Sequence, residues 1–350
     1  MKNPQVKIYT FPWVGLLLIL TATTTVAFFA LTIGSVAIPF QKNLHILAAK
    51  TSLLPSNDQI PTTWNTIVWD IRLPRVVLSG LVGAALAIAG STYQGIFRNH
   101  LADPYLIGVA SGAGFGATVS ILIFGSSMTI GKFTIVPINA FLASIFTVSI
   151  AYLLAKRHGG THTNTLILAG VALGSLMSSL TTFLLMTSGK DIRPVLSFLF
   201  GSFSTASWSD IYIVLPYLTI GTLIILPLAR ILNILQLDQY QAQQLGVNTE
   251  KIRLSLLVCS SFITSSAISV SGIIGFVGLI TPHCVRLVWG YDYRTLLPFS
   301  MGLGAVFLIM SDSIARVVLA PQEIPVGVIT ALFGSPFFLY ILRKKYQVWY

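Results

Sequence analysis

The chain has 350 residues, of which 54% are hydrophobic and 9% charged, at a mean hydropathy of +0.82. A soluble domain carries about 25% charged residues, so a soluble fold of this length lacks the polar side chains to cover its surface, and lipid must cover much of it. The 21 Lys+Arg against 10 Asp+Glu do not make a nucleic-acid binder, because the charges are scattered between apolar runs and form no basic stripe.

A membrane-crossing helix needs about 20 predominantly apolar residues. The first such run, 11–38, follows Lys2 and Lys7. It exceeds the roughly 7–15 residues of a signal-peptide core and no small-residue cleavage site follows, so it is expected to stay as a first helix. Residues 39–70, with Pro39, Pro55 and Pro61, are predicted as a tethered surface loop. The next spans are predicted over 74–97, 105–124, 133–155 and 164–187. In the first of these Gly80, Gly83, Ala84, Ala87 and Gly90 recur at helical steps, and in the second Gly108, Gly112 and Gly116 do so. Small residues at these steps let membrane helices approach closely. Residues 194–203 are apolar but too short to cross, and are predicted as a re-entrant or surface helix.

A sixth span is predicted over 208–230. The stretch 231–251 then reads as a short surface helix closed by Gly246 at C′. It is either a docking element for a partner or a plain connector. Spans follow over 252–271, 276–289, 295–315 and 326–342, the 276–289 segment being short enough to need burial in protein. The fold class is therefore all-α integral membrane, one transmembrane domain over 1–350 with about ten transmembrane helices.

With the N-terminus inside, the inner loops and ends carry 13 of the Lys and Arg and the outer ones 8, among them Arg72, Arg75 and Arg316. The sign fits the positive-inside rule and puts both termini in the cytoplasm.

Chemistry-bearing motifs are sparse. Ser188-Gly189-Lys190 runs into Asp191 and lacks the upstream glycine of a phosphate loop. Gly112, Gly114 and Gly116 follow no strand, so they are not a dinucleotide loop. Cys259 and Cys284 lie in separate apolar runs, with no metal or disulfide spacing. His45, His100, His158, His162 and His283 do not cluster, and His283 after Pro282 reads as a neighbour of a helix kink. Asp210 and Asp312 are placed near helix ends, and Asp103 and Asp292 on the cytoplasmic side. An ion-coupled carrier would place ionisable groups or broken helices at midplane, and a membrane-embedded enzyme would need a nucleophile–base pair or a metal cluster. The chain offers little of the first pattern and none of the second, which moves the energy source onto a partner. The ion-coupled secondary transporter stands as the alternative.

Six strings in order resemble the FecCD-type permeases, the membrane subunits of ABC importers for iron-siderophores, haem and cobalamin. They are Arg72-Leu-Pro-Arg75 with Gly83 to Gly90, Gln94 and Arg98-Asn99-His100-Leu-Ala-Asp103-Pro104; Leu168 to Ala172; Gly201-Ser-Phe203; Ala242 to Val247; Gly275 to His283 with Gly278, Pro282 and Arg286; and Ser311-Asp312 to Arg316 with Glu323-Ile-Pro325 and Gly334-Ser-Pro336. The match runs from about residue 64 onward. Departures are His100 where the family has proline, Thr281 where it has a hydrophobic residue, and Gln241, Gln243 and Gln244 where its coupling helix is acidic.

The resemblance implies ten spans and a path shared with a second permease copy or paralogue. It implies two cytoplasmic ATPase subunits and an extracytoplasmic substrate-binding protein in a bacterial cell membrane. It assigns ATPase coupling to Asp238, Ala242, Leu245, Gly246 and Val247, and docking of the binding protein to Arg72, Arg75 and Arg316, whose planar guanidiniums suit carboxylates. Gly83, Gly90, Gln94, Asn99, Pro104, Gly275, Gly278, Pro282 and His283 form its packing and path motif. No cofactor, no metal and no nucleic acid is implied. The cargo is a metal chelate, with iron-siderophore first and cobalamin or haem open.

Overall fold

The computed structural model describes residues 11–34, 36, 38–50, 61–125, 128–130, 133–157, 160–161, 163–237 and 248–346. In chain order the helices are α1 (Trp13–Thr32), α2 (Phe40–Lys50), α3 (Thr62–Phe97), α4 (Val109–Phe124), α5 (Ile135–Ala155), α6 (Thr163–Thr187), α7 (Arg193–Phe200) and α8 (Trp208–Ile225). They continue as α9 (Ala229–Ile234), α10 (Thr249–Ser271), α11 (Val277–Trp289), α12 (Tyr293–Val317) and α13 (Val326–Tyr346). Two-residue antiparallel ladders pair Thr129–Ile130 with Phe133–Thr134 and Lys156–Arg157 with Gly160–Thr161. Among the described residues 7 helices are long and apolar enough to cross a membrane, and α4, α11 and α13 are shorter apolar helices. Each of the ten segments predicted as a span carries a helix.

Three predictions need correction. The stretch 39–70 is not a plain loop. Asn43 and Ile46 of the amphipathic α2 are buried, and Ile46 meets Ile38 and Val68. The helix predicted from residue 74 starts at Thr62, because a π-turn over Ile67–Arg72 carries it past Pro74. Proline has no N–H and its ring crowds the carbonyl of the preceding turn, which normally breaks a helix. Here the i→i−5 register is already set, with the Leu73 N–H donating to Val68 O. The next acceptor in that register, Trp69 O, loses its donor at Pro74 and takes Trp208 Nε1–H at 3.1 Å instead. The span predicted over 105–124 is also split, into a 3₁₀ turn Pro104–Ile107 and α4, at Gly108 with φ +86°.

The core lies between α3, α12, α10 and α11. The most apolar window of α3 is 72% buried, whereas that of α6 is 17% buried, so α6 faces outward. Glycines set the closest approaches. A Cβ on Gly83 would lie 2.2 Å from Gly304 O, and one on Gly90 would lie 2.3 Å from Gly278 O.

Helix α10 is buried despite its many hydroxyls. Ser261, Thr264 and Ser271 donate back to the carbonyls of Leu257, Ser260 and Ala267. Tyr93 and Ser144 close across to Ser261 and Ser265, each at 2.7 Å. Hydroxyls satisfied within and between helices are tolerated in a bilayer.

The chain unwinds between α10 and α11, where Phe276 takes a left-handed φ of 69°. Non-helical backbone at membrane depth must find partners inside the protein. Here Ile273 N donates to Phe198 O at 3.0 Å, and Tyr105 Oη both accepts from Ile274 N and donates to Ile274 O.

Candidate functional site

At one end of the bundle, which the charge bias predicts to be extracytoplasmic, α1, α3 and α12 bring three arginines together. Arg72 and Arg75 sit where the π-turn passes into α-helix, and Arg316 lies in the last turn of α12. The helix phase turns all three inward, so they are 5%, 7% and 7% exposed.

Arg72 and Arg316 finish α1. Arg72 donates to Leu31 O at 2.9 Å and to Val36 O. Arg316 donates to Ile33 O at 3.2 Å and Ala30 O at 3.3 Å. The last carbonyls of a helix lack intrahelical donors and carry partial negative charge, so cations are favourable there. No glycine cap ends α1, since Ile33 is extended.

Arg75 is held differently. Its Nε and Nη2 bind the Asp312 carboxylate at 3.0 and 2.8 Å, and Nη1 binds both oxygens of Glu323 at 2.9 and 3.0 Å. Arg316 Nε lies 3.2 Å from the second oxygen of Asp312. The Asp312 side chain is 1% exposed and that of Glu323 is 39% exposed. Three guanidiniums thus meet two carboxylates, and one positive charge is in excess. The three arginines and Glu323 border a cavity of about 180 Å³ lined also by Gly34, Ile71 and Pro321.

Asp312 and Glu323 complete the cluster, and the sequence motifs that contain them assign them no role. The available signal was physical, since an ionisable group in a span requires a partner.

The remaining motif residues divide into two groups. Gly83, Gly90, Gln94, Gly278 and Pro104 form one buried strip. Gln94 Nε2 donates to Gly278 O at 3.1 Å, and a Cβ on Gly278 would lie 3.5 Å from Pro104 Cδ. Asn99 lies at the exposed turn after α3, where its side-chain oxygen accepts from Leu101 N at 2.9 Å. Gly275 has open space around it. Pro282 is buried within α11, and His283 stands edge-on to Phe337 at 6.0 Å between ring centres.

Asp103 caps the 3₁₀ turn by accepting from Tyr105 N at 2.8 Å, and burial pushes its carboxyl up to about 6 despite that bond. At the α11–α12 turn, Asp292 is held below the usual carboxylate range. Burial opposes this, and the Arg294 guanidinium and N–H and the Asn233 amide outweigh it.

The coupling residues Asp238, Ala242, Leu245, Gly246 and Val247 lie outside the described residues. The chain on both sides of them is pinned. Gln236 Nε2 donates to Gly95 O at 3.0 Å and Arg98 Nε donates to Leu235 O. Asn248 caps α10 by accepting from Lys251 N at 3.1 Å. Among the described residues no group of three His, Cys, Asp or Glu is placed to hold a metal ion.

The family model of the FecCD transport family matches residues 18–344. A cobalamin import system permease protein of Halobacterium salinarum is 44% identical over 286 residues, which is 82% of this chain and 76% of that protein. A hemin transport system permease protein of Yersinia pestis is 38% identical over 300 residues, 82% of this chain and 88% of its own. A solved structure of a metal-chelate type ABC transporter in an inward-facing conformation superposes with a TM-score of 0.81 at 30% identity, covering 95% of this chain and 100% of that one. A bundle of apolar helices without a nucleotide-binding motif, matched by the family over nearly its whole length, has one reading: the chain belongs to the FecCD transport family, a family of membrane-embedded ABC transport permeases.

Proposed function

We propose that this chain is the permease subunit of a binding-protein-dependent ABC importer in a bacterial cell membrane, forming half of the path for a metal chelate. The carrying observation is the family match over 18–344. Two relatives act on a cobalamin and a haem system, and a metal-chelate transporter shares the fold at 0.81. All three names fit one cargo class, a bulky metal-centred ligand, which suits a wide and largely uncharged path.

The second half of the path is a further permease copy or paralogue. ATP hydrolysis belongs to two cytoplasmic subunits docked on the segment that contains Asp238 to Val247. A substrate-binding protein docks at the opposite end on Arg72, Arg75 and Arg316, whose cavity holds the positive excess that an acidic partner needs.

Uptake into proteoliposomes tests the function. Permease, ATPase and loaded binding protein should together take up cobalamin, haem or a ferric siderophore only with ATP inside. Uptake that continues without the ATPase subunit would sink the assignment. Gly246→Pro should leave assembly intact and uncouple ATP hydrolysis from uptake, and normal coupling would count against the role of that segment.

A further inference from the structure

We infer that Glu323 is an exchangeable counter-ion, holding the place on Arg75 that a carboxylate of the docking protein takes. The inference rests on the docking role proposed above for the outer arginines.

The geometry of Arg75 limits where a newcomer can bind. A guanidinium presents its donors along fixed edges. The edge formed by Nε and Nη2 is filled by Asp312, which is 1% exposed and anchored on the other side by Arg316. Arg72 and Arg316 direct their donors to the last carbonyls of α1 and the chain that follows. Nη1 of Arg75 is the donor on a partly open partner, since Glu323 is 39% exposed. An ion pair with one exposed member is weak, whereas the buried pair with Asp312 would leave uncompensated charge if it opened. Exchange therefore occurs at Glu323.

The consequence lies in the chain that follows. Glu323 ends an exposed stretch that runs from Val317 and is fastened by Ile324 N donating to Ala315 O at 3.1 Å. Three residues on, α13 begins, and its Gly327 packs against Phe200 O and Ile273 O. Ile273 belongs to the unwound segment ahead of α11, and Gly334 of α13 packs on Phe276 of the same segment. Displacing Glu323 unties the outer end of α13 while its body stays on the break. Docking at the outer face then acts on α13 and on the unwound segment that it packs against.

The full-length permease in nanodiscs provides the test, with Cys259→Ala, Cys284→Ala and a nitroxide on Gln322→Cys. The probe is the purified, ligand-loaded substrate-binding protein of the same transport system. Alone, the label should be immobile, and Glu323→Gln should free it. Adding the binding protein to the unmodified Glu323 form should mobilise the label to the same degree. Glu323→Gln should also tighten docking roughly threefold, the factor that a half-exposed ion pair supplies. Docking of normal affinity with an immobile label would overturn the inference and leave the docking site intact, as would Glu323→Gln binding no more tightly. Arg72→Glu, Arg75→Glu and Arg316→Glu test the underlying reading separately, because unchanged affinity there removes the docking site itself.

Discussion

Gly83→Ala tests the packing that holds α3 against α12. The new Cβ would lie 2.2 Å from Gly304 O and 2.7 Å from Gly304 C, both backbone atoms that no rotamer change can move. Real Cβ contacts essentially never fall under 3.0 Å, so the helices must part by at least 0.8 Å, the difference between 3.0 and 2.2. Overpacking of this kind costs about 1–3 kcal/mol, and separation along a 25-residue helix forfeits further dispersion contacts on both sides of the point of crossing. We expect about 3 kcal/mol. Gly304→Ala should cost a similar amount, since its Cβ meets Gly83 O at 2.4 Å. The double variant should cost clearly less than the sum, because one separation relieves both clashes. Gly275→Ala is the control, with no atom within 4 Å, and should stay within about 0.5 kcal/mol of the parent. The measurement is unfolding of the detergent-solubilised permease. A Gly83→Ala variant as stable as the parent, or strict additivity in the double variant, would refute the reasoning.

Three further outcomes follow from the polar contacts. Asp312→Asn removes the carboxylate shared by Arg75 and Arg316 and should destabilise by about 3–5 kcal/mol, measured by the same unfolding assay. Trp208→Phe leaves Trp69 O without a donor beside Pro74 and should cost about 1 kcal/mol. Asp103→Asn keeps an acceptor for Tyr105 N. Because the fold raises the Asp103 carboxyl to about 6, its ionised form opposes folding above that pH and imposes no penalty below the ordinary carboxylate range. The variant should therefore melt higher than the parent at a pH of about 8 and no higher at about 4.

Much of the fold was legible because apolar length is the dominant signal in a membrane chain. The apolar runs at 276–289 and 194–203 stand out although both are short, and the helices α11 and α7 occupy them. The start of α3 was not legible. Its first turns, Thr62 to Arg72, hold Trp64, Asn65, Asp70 and Arg72, which lower hydropathy where the helix meets the interface, and a π-turn leaves no pattern in sequence. Glycine spacing announced close packing but could not name partners. That Gly83 meets Gly304, 221 positions away in the numbering, is a property of the assembled bundle. The site was half legible. Charge placement marked Arg72, Arg75 and Arg316 as exceptional, while the helix phase that buries them and the acids that pair them required the packed structure.

The burial of those arginines bears on the docking role proposed for them. A bundle seeking stability alone has no use for this cluster, since apolar residues of equal volume in place of a buried ion pair are often neutral or stabilising. Capping accounts for Arg72 and Arg316, because the last carbonyls of α1 need donors and no glycine supplies an alternative. It does not account for Arg75, whose hydrogen bonds go to the carboxylates of Asp312 and Glu323. Its position between a fixed Asp312 and a half-exposed Glu323 resembles a junction more than a brace. A brace would have been completed by two buried acids, whereas a junction needs one partner that can leave.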